Sequence, residues 1–277
     1  MFRRLFSALA LTTAMLTVMT TATMTGTANA AASSTRVFDV MSFNIHHAEG
    51  TDGVLDVARI ADVIRNSGAD VVGLQEVDRH YSDRSEWADQ PAELAALLGW
   101  HVVFGANIDQ DPPVGSTDRI QYGTAILSRY AITSWDNTYL YNTPGQEQRG
   151  LLHARLDVRG ASVDFYCTHL AASSQTDRLQ QASQIVDLIG DQDPAILVGD
   201  MNATPDAPEI KTLSTAFDDA WIAAGQGPDS TYPSEAPAKR IDMIFETPSV
   251  RSTQTRGWRN QPVASDHLPV LTRVVVG

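Results

Sequence analysis

Cysteine is nearly absent from this chain: Cys167 is the only one in 277 residues. No disulfide can form within the chain, so packing, hydrogen bonds and bound ions have to hold it. Cys167 closes the stretch Val163-Asp164-Phe165-Tyr166-Cys167, which reads as a strand and predicts a buried structural thiol rather than a nucleophile. Positive charge is also scarce. Twenty Lys and Arg against 33 Asp and Glu give a formal net charge of −13, and no Lys/Arg run stands out. A contact-rich grip on nucleic acid draws on many cations to neutralise phosphates, so that class is disfavoured. It is not excluded, because carboxylates that gather a divalent ion contribute to the imbalance and present a positive centre once loaded. Beyond residue 30 no segment is apolar enough to cross a bilayer, and no Pro/Ser/Gly-rich linker divides the chain into two domains.

The first thirty residues read differently. Arg3 and Arg4 precede a long uncharged stretch that ends in Ala28-Asn29-Ala30, the order of a charged segment, an apolar segment and a small-x-small cleavage site. Residues 1–30 are therefore expected to be a signal peptide that is removed. A short segment, 31–36, follows, and 37–277 is expected to form one domain, secreted and extracellular, with a charge near −15 once Arg3 and Arg4 are gone.

From Val37 onward, short apolar runs alternate with helical patterns. Val37–Phe43 predicts a strand ending at Asn44. Val57, Ile60, Ala61 and Ile64 recur at helical spacing up to Asn66-Ser67-Gly68. Asp70–Gln75 is a buried strand leading to Glu76, and Pro91–Leu98 a helix closed by Gly99. His101–Phe104 and Tyr122–Leu127 read as strands around a surface loop, 109–118. Leu152–Val158 and Val163–Cys167 alternate apolar and polar about the Arg159-Gly160 turn, a hairpin that makes the sheet arrangement mixed. Leu179, Ala182, Val186 and Ile189 mark another helix. Ala195–Gly199 leads to Asp200, a long Gly/Pro/Ser loop spans 225–239, and Ile241–Phe245 and Val270–Val276 close the pattern. The class is layered α/β with mixed sheets.

The polar residues at strand ends carry the chemistry. Asn44, Glu76, His169 and Asp200 each follow an apolar strand, and binding sites in open α/β sheets gather at that edge. Six stretches recur in this role: Ser42-Phe43-Asn44-Ile45, Leu74-Gln75-Glu76-Val77, Thr168-His169-Leu170, Gly199-Asp200-Met201-Asn202, Arg240-Ile241-Asp242 and Ser265-Asp266-His267-Leu268-Pro269-Val270. Each has a plain alternative: Asn44 as a turn cap, Glu76 paired with Arg79, His169 as a core histidine, Asp200 and Asn202 in an Asx turn, Asp242 bridged to Arg240. Six in order, each at a strand end, outweigh those alternatives.

Taken together, these motifs resemble the endonuclease/exonuclease/phosphatase superfamily, the fold of deoxyribonuclease I, abasic-site endonucleases, neutral sphingomyelinases and inositol polyphosphate 5-phosphatases. The resemblance runs from about Val37 to Val275 and includes Gly123-Thr124-Ala125-Ile126-Leu127-Ser128-Arg129. It implies a four-layered α/β/β/α sandwich, two mixed β-sheets flanked by helices, and Mg²⁺- or Mn²⁺-dependent hydrolysis of a phosphate ester. By that resemblance Asp200 orients or deprotonates the attacking water, Asn202 donates to the phosphate, Asp242 holds His267, and His169 stabilises phosphate charge or assists the leaving group. The donor chemistry agrees: Asn44, Glu76 and Asp266 offer oxygens to a hard ion, with no thiolate. Which of Asp200, His169 and His267 is base or acid stays open, as does the number of metals.

Some residues fit less well. An acidic partner for His169 is not evident, Asp118 being the nearest choice by region. His46 and His47, next to Asn44, could be extra ligands but read better as solvated loop histidines, since oxygen donors already serve a hard ion, and Arg119 and Arg149 read as arginines that could reach phosphate. Nucleic acid is the default substrate by family size; a phospholipid, sphingomyelin or phosphoinositide headgroup is the alternative, with Trp135–Tyr141 and Trp221–Trp258 as the aromatic segments a lipid would meet. A non-catalytic binding protein on the same fold is the minor alternative, and a monomer without a stable protein partner is expected.

Overall fold

The computed structural model describes residues 1–2 and 35–277; the expected leader, 1–30, lies essentially outside the described residues. The elements run β1 (Arg36–Asn44), α1 (Val57–Ser67), β2 (Val71–Arg79), α2 (Gln90–Leu98), β3 (His101–Gln110), β4 (Ile120–Ser128), β5 (Ala131–Tyr139), β6 (Gly150–Val158), β7 (Ala161–His169), α3 (Gln175–Ile189), β8 (Ala195–Asp200), α4 (Pro208–Leu213), β9 (Asp218–Asp219), α5 (Ala220–Ala224), β10 (Asp242–Glu246), β11 (Val250–Gly257) and β12 (Val270–Val276). They form two six-stranded sheets, ordered β11-β12-β1-β2-β4-β3 and β5-β6-β7-β8-β10-β9. Each is mixed, since β1 runs parallel to β2 and β7 to β8 while β12 and β10 run antiparallel to their neighbours.

The period-2 alternation of strands builds the layers. On β1, Phe38 and Val40 face the other sheet's Leu152, Phe165, Val198 and Ile244 in a central core. The intervening Met41 and Phe43 pack outward on Ile60, Ile64 and Leu94 of α1 and α2. The second sheet repeats this with Leu197, Met243 and Phe245 turned to Ile185 of α3 and Ile210 of α4. The result is the expected four-layered sandwich. Gly73 allows the sheets to close: a Cβ there would stand 2.3 Å from Val198 Cγ2 and 3.0 Å from Cys167 Sγ. Cys167 itself is fully buried, as its strand position predicts.

Side chains close the helix starts. Asp56 accepts from Arg59 N, Asp89 from Ala92 N and Ser174 from Asp177 N, while Gly68 and Gly99 end α1 and α2 in the left-handed region. Three strands are additions to the sequence reading: β5, β11 and the two-residue β9. Trp135, Tyr139 and Tyr141 are exposed on and just past β5, at the rim of its sheet.

Strand register sets the site. His169 ends β7 directly opposite Asp200 at the end of parallel β8, and Asp242 opens antiparallel β10 opposite the same Asp200. In the facing sheet Asn44 ends β1 opposite Gln75. Glu76 is not at a strand end: β2 continues to Arg79, and Glu76 sits in a bulge, where the β2/β4 register shifts between Leu74 and Val77 and its φ is 58°. A bulge turns one extra side chain out of the ladder, which aims Glu76 at the same rim.

Candidate active site

Asp200 is the hub. It is 1 % exposed, and four groups from four segments converge on its carboxylate. Asn202 N–H donates to Oδ1 at 2.9 Å and Asn44 Nδ2 to Oδ2 at 3.1 Å. Nε2 of His169 and Nε2 of His267 lie 3.4 and 3.6 Å from Oδ2. Burial, then the neighbouring Asp242 charge, raises the Asp200 pKa, against the pull of His267. A carboxyl raised toward neutrality is a better proton acceptor at physiological pH.

His267 is fixed by Asp242, whose two oxygens stand 3.1 and 2.9 Å from Nδ1. Asp242 does not bridge to Arg240; that arginine pairs with Asp219. Burial alone would lower the His267 pKa, but the charge and hydrogen bond of Asp242, with Asp200 and Asp266, raise it to about 10. His267 is thus an imidazolium at neutral pH, with Nδ1–H donated to Asp242 and Nε2–H turned toward Asp200. The Tyr232 ring lies 4.7 Å from its own. The turn that delivers it is tied to β1, because Ser265 Oγ donates to the Asn44 carbonyl at 2.7 Å and accepts from His267 N–H at 3.2 Å.

His169 has an unexpected partner. The residue against its Nδ1 is Arg149, whose Nη1 lies 2.9 Å away, and Arg149 is itself paired with Glu147 at 2.8 Å. Asp118 lies on the loop before β4 and plays no part in this contact. A guanidinium only donates, so Nδ1 accepts from Arg149, while Nε2 is the nitrogen that faces Asp200. Burial, then the charges of Arg149 and His267, holds the His169 pKa well below its ordinary value. Asn202 Nδ2 stands 2.9 Å from that Nε2 and donates to the Leu170 carbonyl at 3.1 Å. The two histidines therefore differ in charge, one cationic and one neutral.

Glu76 and Asp266 line the cavity beside this cluster. Glu76 does not pair with Arg79, which meets Asp89; its contact is Asn44 Nδ2, donating at 3.0 Å. The Asp266 carboxylate accepts from the Ser265 hydroxyl at 3.4 Å. Two carboxylates facing one cavity without a cationic partner suit a hard divalent ion. Asn44 is fully buried; its amide nitrogen bridges the Glu76 and Asp200 carboxylates, and its Oδ1 accepts His46 N–H at 3.1 Å. The amide thus positions both carboxylates, and its oxygen keeps a second lone pair for an ion. The cavity, about 740 Å³, is also lined by residues that sequence reasoning passed over: Tyr81, Arg84, Tyr122, Arg178, Glu209, Tyr232 and Lys239. Only the 225–239 loop, already expected beside the site, offered a signal for them, through Tyr232 and Lys239. Arg119 lies away from this cavity, exposed and bonded to Asp109 and Asp111. His47 is buried rather than solvated.

A buried carboxylate between two imidazoles, beside two carboxylates with no cationic partner among the described residues, is a set of groups suited to acid–base chemistry next to a divalent ion. The comparison with known sequences agrees. Residues 41–267 match the model of the Endonuclease/Exonuclease/phosphatase family, and the chain belongs to it. Its fold is similar to that of an endonuclease/exonuclease/phosphatase from Beutenbergia cavernae, with 28% identity, a TM-score of 0.77, and 87% of this chain and 72% of that one covered. It is also similar to the mannosyl-6-phosphatase Bt3783 of Bacteroides thetaiotaomicron (18% identity, TM-score 0.69, 86% and 99% covered). A third similar structure is TDP2 from Caenorhabditis elegans (21% identity, TM-score 0.60, 86% and 74% covered). No curated protein matched.

Proposed function

We propose that this chain is an exported phosphoesterase, dependent on Mg²⁺ or Mn²⁺, that acts on compact phosphate esters, with residues 1–30 as its leader. The observation that carries the catalytic reading is the convergence of Asn44, His169, Asn202 and His267 on the Asp200 carboxylate. Glu76 and Asp266 would hold the ion, Asn44 setting the Glu76 carboxylate; the ion supplies stabilisation of charge on the phosphoryl oxygens. The Asp242 carboxylate favours the protonated form of His267, and burial raises Asp200 toward a useful base, so we assign the base to Asp200. Asp200 takes a proton from water as its oxygen bonds to phosphorus and the ester P–O bond breaks. Nε2 of His267, with Nε2 of His169 and the amide of Asn202 beside it, would face the developing charge, and His267 has a proton to give the leaving oxygen.

The size class of the substrate follows from the cations of the cavity. Arg84 is held by both oxygens of Asp78, Arg149 by Glu147 and Arg178 by Glu209. Among the described residues, Lys239 is the cavity-lining cation with no carboxylate partner. A polymer bound through successive phosphates needs several free cations, whereas one phosphate in a cavity of about 740 Å³ needs one lysine and one ion. The Bacteroides neighbour, whose name is that of a mannosyl-6-phosphatase, supports the same size class. Purified protein assayed with Mn²⁺ against sugar phosphates, nucleotides, DNA, RNA and phospholipid vesicles tests this. Small esters should turn over fastest, and Lys239→Ala should raise their KM about tenfold. Rapid cleavage of polymers or vesicles with inert small esters would overturn the substrate class.

A further inference from the structure

Immediately after Asn44 the backbone does something L-residues seldom do: His46, His47 and Ala48 stand at φ of 46°, 45° and 64°, none of them glycine. In a strand, successive side chains point apart. This left-handed run instead brings the two imidazoles together, with ring centroids 4.6 Å apart and planes at 60°. The run is pinned by Asn44 Oδ1, which accepts His46 N–H at 3.1 Å, and by Gln90 Nε2, which donates to the His47 carbonyl at 2.6 Å. Glu76, itself at a φ of 58° in its bulge, completes the group. His46, His47 and Glu76 each present a ligand atom, all three within 4.8 Å of one another.

Glu49 sets both rings. Its backbone carbonyl lies 3.2 Å from His46 Nδ1, which places that ring's proton on Nδ1 and leaves the Nε2 lone pair free. Its side-chain carboxylate faces His47 Nε2 at 3.5 Å, which draws the proton there and leaves Nδ1 as the electron-pair donor. His47 Nδ1 is buried and has no hydrogen-bond partner, in a side chain that is 9 % exposed. A buried ring nitrogen without a partner is costly unless something binds it. An imidazole whose far nitrogen is held by a carbonyl or carboxylate is the arrangement of a metal-ligating histidine.

We propose that His46, His47 and Glu76 hold a borderline divalent ion of the Mn²⁺, Fe²⁺, Co²⁺ or Zn²⁺ class, with Glu49 orienting both imidazoles. Ligands about 2.1 Å from one ion stand at most about 4.2 Å apart, so closure takes side-chain shifts of under about 1 Å. Two imidazoles and one carboxylate favour a transition ion over Mg²⁺, which prefers oxygen. The inference rests on the proposed function only in that Glu76 is shared, so the site abuts the oxygen-lined one and biases which metals the protein carries.

The test uses the full chain stripped with EDTA and titrated with Co²⁺, read by its visible absorption and by anomalous diffraction at the cobalt edge from soaked crystals. Wild-type protein should show nitrogen-ligated Co²⁺, with anomalous density between the two imidazoles and Glu76. His46→Asn with His47→Gln should lose the spectrum and weaken Co²⁺ binding at least about 100-fold, and Glu49→Gln should weaken it about tenfold or more. Density placed only against Glu76 and Asp266, or an unchanged spectrum in the double variant, would overturn the site. If the double variant fails to fold, the wild-type anomalous map alone decides. Mg²⁺-supported ester hydrolysis, assayed on the same protein, separates the two failures: its loss strikes the proposed function, whereas intact hydrolysis with unligated imidazoles strikes only this site.

Discussion

Charge state at single side chains decides the chemistry. Arg149 against His169 Nδ1 is the residue-level feature that sequence reasoning left open, because an acid was sought where a cation sits. Arg149→Met removes the donor that holds the His169 ring at Nδ1; kcat should drop about 100-fold with KM little changed, and Arg149→Lys should recover part of the loss, as read by steady-state kinetics. His267 gives a pH signature. Its folded pKa, raised to about 10 from 6.5, contributes stability that is fully present below pH 6.5 and is lost as pH rises through about 10. Urea midpoints of EDTA-treated protein should therefore fall over that window, and Asp242→Asn should flatten the slope. Equal slopes in both proteins would mean that the pair carries no such linkage.

Elements were legible where burial wrote a pattern. β1, β8 and β12 are dense in apolar residues, and α1 shows an unbroken helical stripe, so their positions followed from periodicity. The same runs gave the strand-end placement of Asn44, His169 and Asp200. β5, Ala-Ile-Thr-Ser-Trp-Asp-Asn-Thr-Tyr, and β11, Val-Arg-Ser-Thr-Gln-Thr-Arg-Gly, are polar strands at the rims of their sheets, and exposure leaves little period to read. Glu76 shows another limit: its bulge depends on the pairing of β2 with β4, which no local stretch records. Arg149 and Lys239 reach the site from an adjoining strand and a loop, through the stacking of segments distant in sequence. Close sheet contact is likewise tertiary. Gly73→Ala would force a Cβ to within 2.3 Å of Val198 Cγ2, and this overpacking should cost about 1–3 kcal/mol in urea unfolding. Val198→Ala in the same chain should return part of that loss; no recovery would place the strain elsewhere.

At the scale of the whole molecule, two sheets pressed face to face hold the rim residues in place without any disulfide. Cys167 reports on that core, since burial pushes its thiol up to about 12. Native protein at pH 8 should leave a thiol reagent unreacted, and urea should release one reactive thiol per chain in step with loss of tertiary structure; reaction in the native state would mean that the sheets part readily. The sandwich brings strand ends from both sheets to one cavity. The most direct test is Mn²⁺-supported hydrolysis of p-nitrophenyl phosphate and its bis ester by wild-type protein and Asp200→Asn, with and without EDTA. Wild-type turnover should vanish with EDTA and return with metal, and Asp200→Asn should be slower by about 10³-fold or more with its fold intact. Turnover that survives EDTA, or an Asp200→Asn variant as fast as wild type, would contradict the account.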